Sequence, residues 1–207
     1  MVKGNLYALV YAAVLGTVCA LLLTAAGSFT APYQADNLKA ERIFNILTVL
    51  GVPFETKAPC GQLVEIFNRN IKQQERGGRA VYVYMPDMQS GVVQALAVEF
   101  SGSGLWGPVK GFLSLNGDMK TIRGIAFHEQ QETPGLGGEI GSVWFRGQFE
   151  GKSVFDESGN IGIVIGGQRG KAIPNGVDAI TGATMTCRKV EDMLNTVIKK
   201  IAEKQDK

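Results

Sequence analysis

An α+β fold, with an antiparallel sheet framed by helices and preceded by one N-terminal transmembrane helix, is the class this sequence predicts. Three observations predict it. No charged residue appears between Lys3 and Asp36. The middle of the chain then turns from helical periodicity to short runs of β-forming residues broken by glycine. The end of the chain carries a single apolar stripe at helical spacing. The strand-like runs follow one another without the alternating helices that a parallel sheet requires.

The first element is the apolar run from Leu6 to Phe29. Roughly 20 apolar residues suffice to span a bilayer as a helix. A cleavable signal has a shorter apolar core and a more basic start, so a retained anchor is expected, with Ala25-Ala26-Gly27-Ser28 as the alternative cleavage site. The expected boundaries are an anchor over residues 1–35 and a folded domain over 36–207. Lys3 precedes the span, while Lys39 and Arg42 follow it beside Asp36 and Glu41. The rule that positive loops stay inside is therefore nearly silent on orientation.

Residues 37–50 place Leu38, Ile43, Ile46, Leu47 and Leu50 at helical spacing, and Gly51 and Pro53 end that pattern. A second helical pattern, through Leu63, Ile66, Phe67, Asn70 and Ile71, is expected to end at Gly77-Gly78. Strands are expected over 80–85, 93–100, 109–115 and 121–127, with Asn116-Gly117-Asp118 as a hairpin turn. Residues 161–165 form a fifth apolar run. The last helix carries Val190, Met193, Leu194, Val197, Ile198 and Ile201 on one stripe. Lys199 and Lys200 stand near its end, where the helix dipole favours positive charge.

Composition narrows the function. Basic and acidic residues number 21 and 19, so no nucleic-acid footprint and no polybasic lipid-binding run is present. One histidine, His128, and three cysteines without zinc spacing give no metal site. His128 reads as a hydrogen-bonded strand end. Cys19 lies in the apolar run, and whether Cys60 and Cys187 pair is open at this level. The hydrolase and nucleotidase motifs GxSxG, HExxH and Walker A are absent, and no catalytic residue is assigned.

Three stretches stand out. Residues 102–107 match GxGxxG, but Pro108 and a β-like run follow where a Rossmann site would open a helix. The stretch reads either as a flat surface for an aromatic ligand or as a structural turn around a core Trp106. Glu129 to Glu139 combines carboxylates, Pro134 and three glycines, which let backbone N–H groups face a ligand. No partner for acid–base chemistry stands out beside them. Asp178 to Thr186 holds three threonines around Gly182-Ala183 at the start of the last helix. Such hydroxyls either cap the helix or carry a phosphate at its N-terminus.

Together these stretches resemble the FMN-binding domain family. The residues that carry the likeness are Asn45-Ile46-Leu47 with Gly51, Gly104-Leu105-Trp106, Glu132 through Glu139, and Asp178 through Thr184. The resemblance is strongest to the flavin-carrying subunits of sodium-translocating NADH:quinone reductases, and next to those of Rnf-type ferredoxin:NAD electron-transport complexes. It implies an electron-transfer subunit in which a flavin transferase attaches FMN to Thr184 through a phosphoester. Thr181, Gly182 and Ala183 would support the phosphate and ribityl chain. Leu105, Trp106, Leu136, Gly137 and Gly138 would flank the ring, and Thr133 would also contribute to cofactor binding. Asp178 belongs to the flavinylation motif, and Thr186 keeps a helix-capping role. The resemblance further implies other membrane and flavoprotein subunits as partners. It places the chain in a bacterial inner membrane as a single-pass protein, with its domain on the periplasmic side. An anchored binding or sensor domain without redox chemistry is the reading from another class.

Overall fold

The computed structural model describes residues 2–55, 58–87, 89, 91–166 and 173–202, with the side chains of residues 2–5 excepted. Two compact units divide at Ala40 and Glu41. Helix α1, Val2–Leu50, is continuous across that division, so the helix expected from residue 37 is the end of a longer one. Its stretch from Leu6 is long and apolar enough to cross a membrane. Leu9, Leu15, Leu22 and Phe29 are all exposed on it.

The second unit begins where α1 starts to bury side chains. Ile43, Ile46, Leu47 and Leu50 are buried, whereas Leu38, expected on the same stripe, is exposed. Gly51 closes the helix with φ +63°, and Val52 N–H donates to Leu47 O. This is the left-handed glycine stop that the sequence pattern announces. Helix α2 covers Cys60–Asn70 and ends earlier than expected. Ile71–Arg76 is instead strand β1, joined through Gly77-Gly78 to β2, Arg79–Tyr84. Both glycines have positive φ, as a two-residue hairpin with the twist of its strands requires. Polar Lys72, Gln73 and Gln74 hide this edge strand in the sequence, and of its residues only Ile71 is buried.

Strands β3, Ala95–Ser103, β4, Pro108–Asn116, and β5, Ile122–Glu129, complete a five-stranded antiparallel sheet in the order β1-β2-β3-β4-β5. Side-chain alternation divides it into two cores. Val81, Val83, Leu96, Val98, Phe100 and Leu113 join the cluster that includes helix α4, Thr184–Ala202. Tyr82, Tyr84, Ala95, Ala97 and Phe112 join the end of α1 and Leu63 of α2. Coverage on both faces explains why the central strands are almost continuously apolar.

After β5 come a 3₁₀ turn, Gly137–Gly141, and short helix α3, Val143–Gly147. Strand β6, Val164–Gly166, pairs in parallel with β7, Gly176–Asp178, a strand not expected from the sequence. Only three residues long, β7 offers no period to detect. The sequence also places a turn at Gly166-Gly167 after the 161–165 run, and Gly167 lies outside the described residues. Polar side chains of α4 hold the segment before β6 and β6 itself. Asn195 accepts from Ile163 N–H at 2.6 Å, and Glu191 from Ile165 N–H at 2.6 Å.

His128 is not a hydrogen-bonded strand end. Its ring stacks on Phe112 at 5.0 Å, its Nδ1 is buried without a partner, and Glu99 lies 3.8 Å from Nε2. Burial pushes its pKa below the ordinary imidazole value, and Arg42 and Lys110 push the same way, against Glu99 and Glu129. The unfolded chain therefore takes up the proton first as pH falls. This contribution to stability is complete above about pH 6.5 and is lost as pH falls through the lower, folded value. The melting temperature should drop between pH 7.5 and 5.5, and His128→Asn should drop less over that range. Parallel curves for the two proteins would refute this linkage.

The cysteines are free. Cys60 is exposed at the start of α2 and Cys187 is buried in α4, so the pairing left open by the sequence does not form. Cys187 Sγ instead accepts the N–H of Ile180 at 3.4 Å.

Candidate functional site

The three glycine-containing stretches meet at the N-terminal end of α4. The first is the β3–β4 connection. Ser103 pairs with Pro108, and Gly104 N–H donates to Gly107 O at 2.7 Å, closing a hairpin over Leu105-Trp106. The GxGxxG match is thus a β-hairpin, and its tip is no core turn, because Trp106 is 71% exposed.

The second stretch follows β5. Leu136 N–H and Gly138 N–H both donate to Thr133 O, at 3.1 and 2.9 Å. Between them, Pro134 and Gly135 (φ +75°) take the central positions that a type II turn assigns to proline and glycine. The turn leaves Leu136 exposed and brings Gly137 to the cleft floor. A Cβ on Gly137 would lie 2.6 Å from Thr186 Oγ1 and 2.7 Å from Glu132 Oε2.

The third stretch links β7 to α4. Ala183 N–H donates to Ile180 O at 3.0 Å, and Gly182 has φ +80°, again at the position of a turn that only glycine fills easily. Thr184 is the first residue of α4 and is exposed. The first backbone N–H groups of a helix have no acceptor within it, so Thr184 Oγ1 sits where a phosphate group is stabilised.

These segments enclose a cleft of about 320 Å³. Leu105, Trp106, Thr133, Leu136, Gly137, Gly182, Ala183 and Thr184 all line it. Three expected residues do not line it. Gly138 acts through its backbone in the turn, Thr181 is exposed at the 180–183 turn, and Asp178 lies in β7, where Gln148 brackets its backbone N–H and C=O. A larger cleft of about 590 Å³ beside the end of α1, lined by Arg123, Arg146 and Glu150 among others, contains none of the expected residues.

Two residues differ from what the sequence suggests. Thr186 does not cap α4. It is the third residue of the helix, 2% exposed, and its hydroxyl donates to Glu132 Oε2 at 2.5 Å. Glu132 itself is buried and also accepts the N–H groups of Leu105 and Trp106 at Oε1, at 2.7 and 3.1 Å. In the sequence it is a carboxylate without a partner, because all its partners are backbone groups or a distant hydroxyl. The only signal is a glutamate set among turn residues. Met185 also lines the cleft and is exposed.

The chemistry of the lining fits a flavin mononucleotide. An accessible hydroxyl stands at a helix N-terminus, and apolar Leu105, Trp106, Leu136 and Met185 can cover a flat ring system. The volume lies at the small end of ligand clefts.

Comparison with known proteins agrees with this chemistry. Residues 104–199 match the FMN-binding domain family. The C subunit of the Na(+)-translocating NADH-quinone reductase of Neisseria meningitidis serogroup A is 39% identical over 115 residues, 55% of this chain and 45% of that protein. The protein of the same name from Yersinia pestis is 36% identical over 128 residues, 61% of this chain and 48% of that protein. The chain thus spans about half the length of these curated relatives. The crystal structure of the Parabacteroides distasonis protein of that name superposes with a TM-score of 0.63 at 28% identity, over 79% of this chain and 90% of that one. The fold is also that of Shewanella oneidensis NqrC, with a TM-score of 0.65 at 22% identity over 77% of this chain and 92% of that one.

Proposed function

Because residues 104–199 match the FMN-binding domain family, we propose that this chain is a membrane-anchored electron-transfer subunit of a sodium-translocating NADH:quinone reductase. It carries FMN as a phosphoester on Thr184. The observation that carries the reading is the exposed Thr184 hydroxyl at the first turn of α4, on the rim of a cleft built from all three glycine-containing loops. The names of the curated relatives support the choice of complex.

When bound, the flavin supplies the electron chemistry, which no side chain of this chain could provide. The chain's own residues hold it in place. The N-terminal N–H groups of α4 stabilise the phosphate, Gly182 and Ala183 leave room for the ribityl chain, and Leu105, Trp106 and Leu136 cover the ring. A covalent tether makes occupancy independent of free FMN, which suits a carrier that relays electrons between fixed partners. Those partners are the other membrane and flavoprotein subunits of the complex, and a flavin transferase acts in maturation. The chain is not catalytic by itself. Asp178 lies away from the cleft lining and serves the transferase reaction or the turn, where its charge does not oppose the phosphate.

Protein made beside the transferase should stay yellow after denaturation and carry the mass of about one FMN, removable by phosphodiesterase. A colourless protein of unmodified mass would refute the reading and favour a non-redox binding domain. The apolar stretch of α1 is the proposed anchor in the bacterial inner membrane, with the domain on the periplasmic side. Protease added to intact spheroplasts should then digest the domain, and full protection would refute that side.

A further inference from the structure

Glu132 is 5% exposed, and it is the one ionisable side chain among the described residues that line the cleft. Its Oε1 accepts from the hairpin carrying Trp106, and its Oε2 accepts from Thr186 on α4. Its own N–H donates to Gln130 Oε1 at 2.7 Å. One carboxylate therefore joins two walls of the cleft. The chain is shaped around it: a Cβ on Gly104 would overlap Oε1, and a Cβ on Gly137 would press on Oε2.

The hydrogen bonds explain a positioning role. Trp106 has little packing of its own, so the hairpin tip is held by Glu132 and by the Gly104–Gly107 bond. They do not explain the charge. A glutamine Oε1 would accept the same two N–H groups, whereas taking a carboxylate out of water costs several kcal/mol before its hydrogen bonds offset it. Every side-chain bond Glu132 makes is an accepted one, the pattern of an ionised carboxylate. Among the described residues no basic side chain lines the cleft to neutralise it. Reduction adds electrons to the flavin, and a nearby negative charge in a poorly screened site opposes that addition.

Resting on the flavin reading above, we propose that Glu132 positions the Trp106 wall of the cleft and that its buried negative charge lowers the reduction potential of the flavin held there. The test uses the full chain in detergent. In flavinylated Glu132→Gln, with loading confirmed by intact mass, the midpoint potential should shift positive. Thr186→Val keeps the charge and both Oε1 bonds, and should shift the potential less. An unchanged potential in Glu132→Gln, or an equal shift in Thr186→Val, would overturn the charge role.

The positioning role has its own readout in the unflavinylated chain. Trp106 and Trp144 are the two tryptophans, so a Trp144→Phe background isolates the first. There Glu132→Ala, or Glu132→Leu if the alanine variant does not fold, should lower the fluorescence anisotropy of Trp106 and raise its quenching by acrylamide. Unchanged values would overturn the proposal. Failure of wild-type protein to carry flavin would instead overturn the reading it rests on, and the anisotropy measurement would still decide whether Glu132 holds the hairpin.

Discussion

Thr184→Ala is expected to reduce covalent flavin from about one per chain to none, with the fold intact. Three threonines lie within six residues, and the structure separates them. Thr186 is 2% exposed with its hydroxyl committed to Glu132, so a transferase cannot reach it. Thr181 is exposed, but it lies within the 180–183 turn and is not part of the helix. Thr184 is exposed, helical and on the cleft rim. Its replacement removes a surface methyl and hydroxyl, so melting should move by less than about 1 kcal/mol equivalent. Thr181→Ala and Thr186→Ala should both retain the label. Thr186→Ala should also lose about 1–2 kcal/mol of stability, because Glu132 Oε2 is left buried with one partner fewer. Intact mass of the four denatured proteins checks the labelling and thermal melts of the folded ones check the stabilities, and a label that survives Thr184→Ala would place the attachment elsewhere.

The parts of this molecule legible in its sequence are those whose cause is local. The β4–β5 hairpin announces itself through the turn residues Asn116-Gly117-Asp118, although its left-handed residue is Met119 (φ +57°), and the stop of α1 through Gly51, whose φ of +63° glycine adopts without strain. The α4 stripe is legible because a helix buries one face against a sheet at a fixed period. Strand β1 is not, because its polar residues are tolerated on an exposed edge, and its pairing is set by β2 rather than by its own composition. The candidate site divides in the same way. The turns at Pro134-Gly135 and Gly182 are readable from residue type. Glu132 is not, because its partners stand 26, 27 and 54 residues away and two of them are backbone N–H groups, present at almost every position. Parallel pairing of β6 with β7 has the same origin: it is a product of how α4 holds the chain before it.

Gly111→Ala should be the most destabilising single-methyl change in the domain. Gly111 is buried in β4 at a register shift against β5. An ideal Cβ there would overlap the backbone O of Ala126 on the neighbouring strand and the ring of Phe100. Phe100 is fully buried and packs edge-on against Phe127 at 5.4 Å, so its ring has no free space to enter. The Ala126 carbonyl cannot move without disturbing the β4–β5 ladder, which carries the 130–136 loop at its end. Overpacking of this kind costs about 3 kcal/mol, and backbone contact places it at the high end. For a domain of this size the melting temperature should fall by roughly 10 °C. Gly61→Ala is the matched control: it lies in α2 with nothing within 4 Å of an added Cβ. It should gain about 0.5–1 kcal/mol from helix propensity alone. Calorimetric or circular-dichroism melts of the two variants measure the contrast, and equal melting temperatures would show that the sheet yields at Gly111 far more easily than its packing implies.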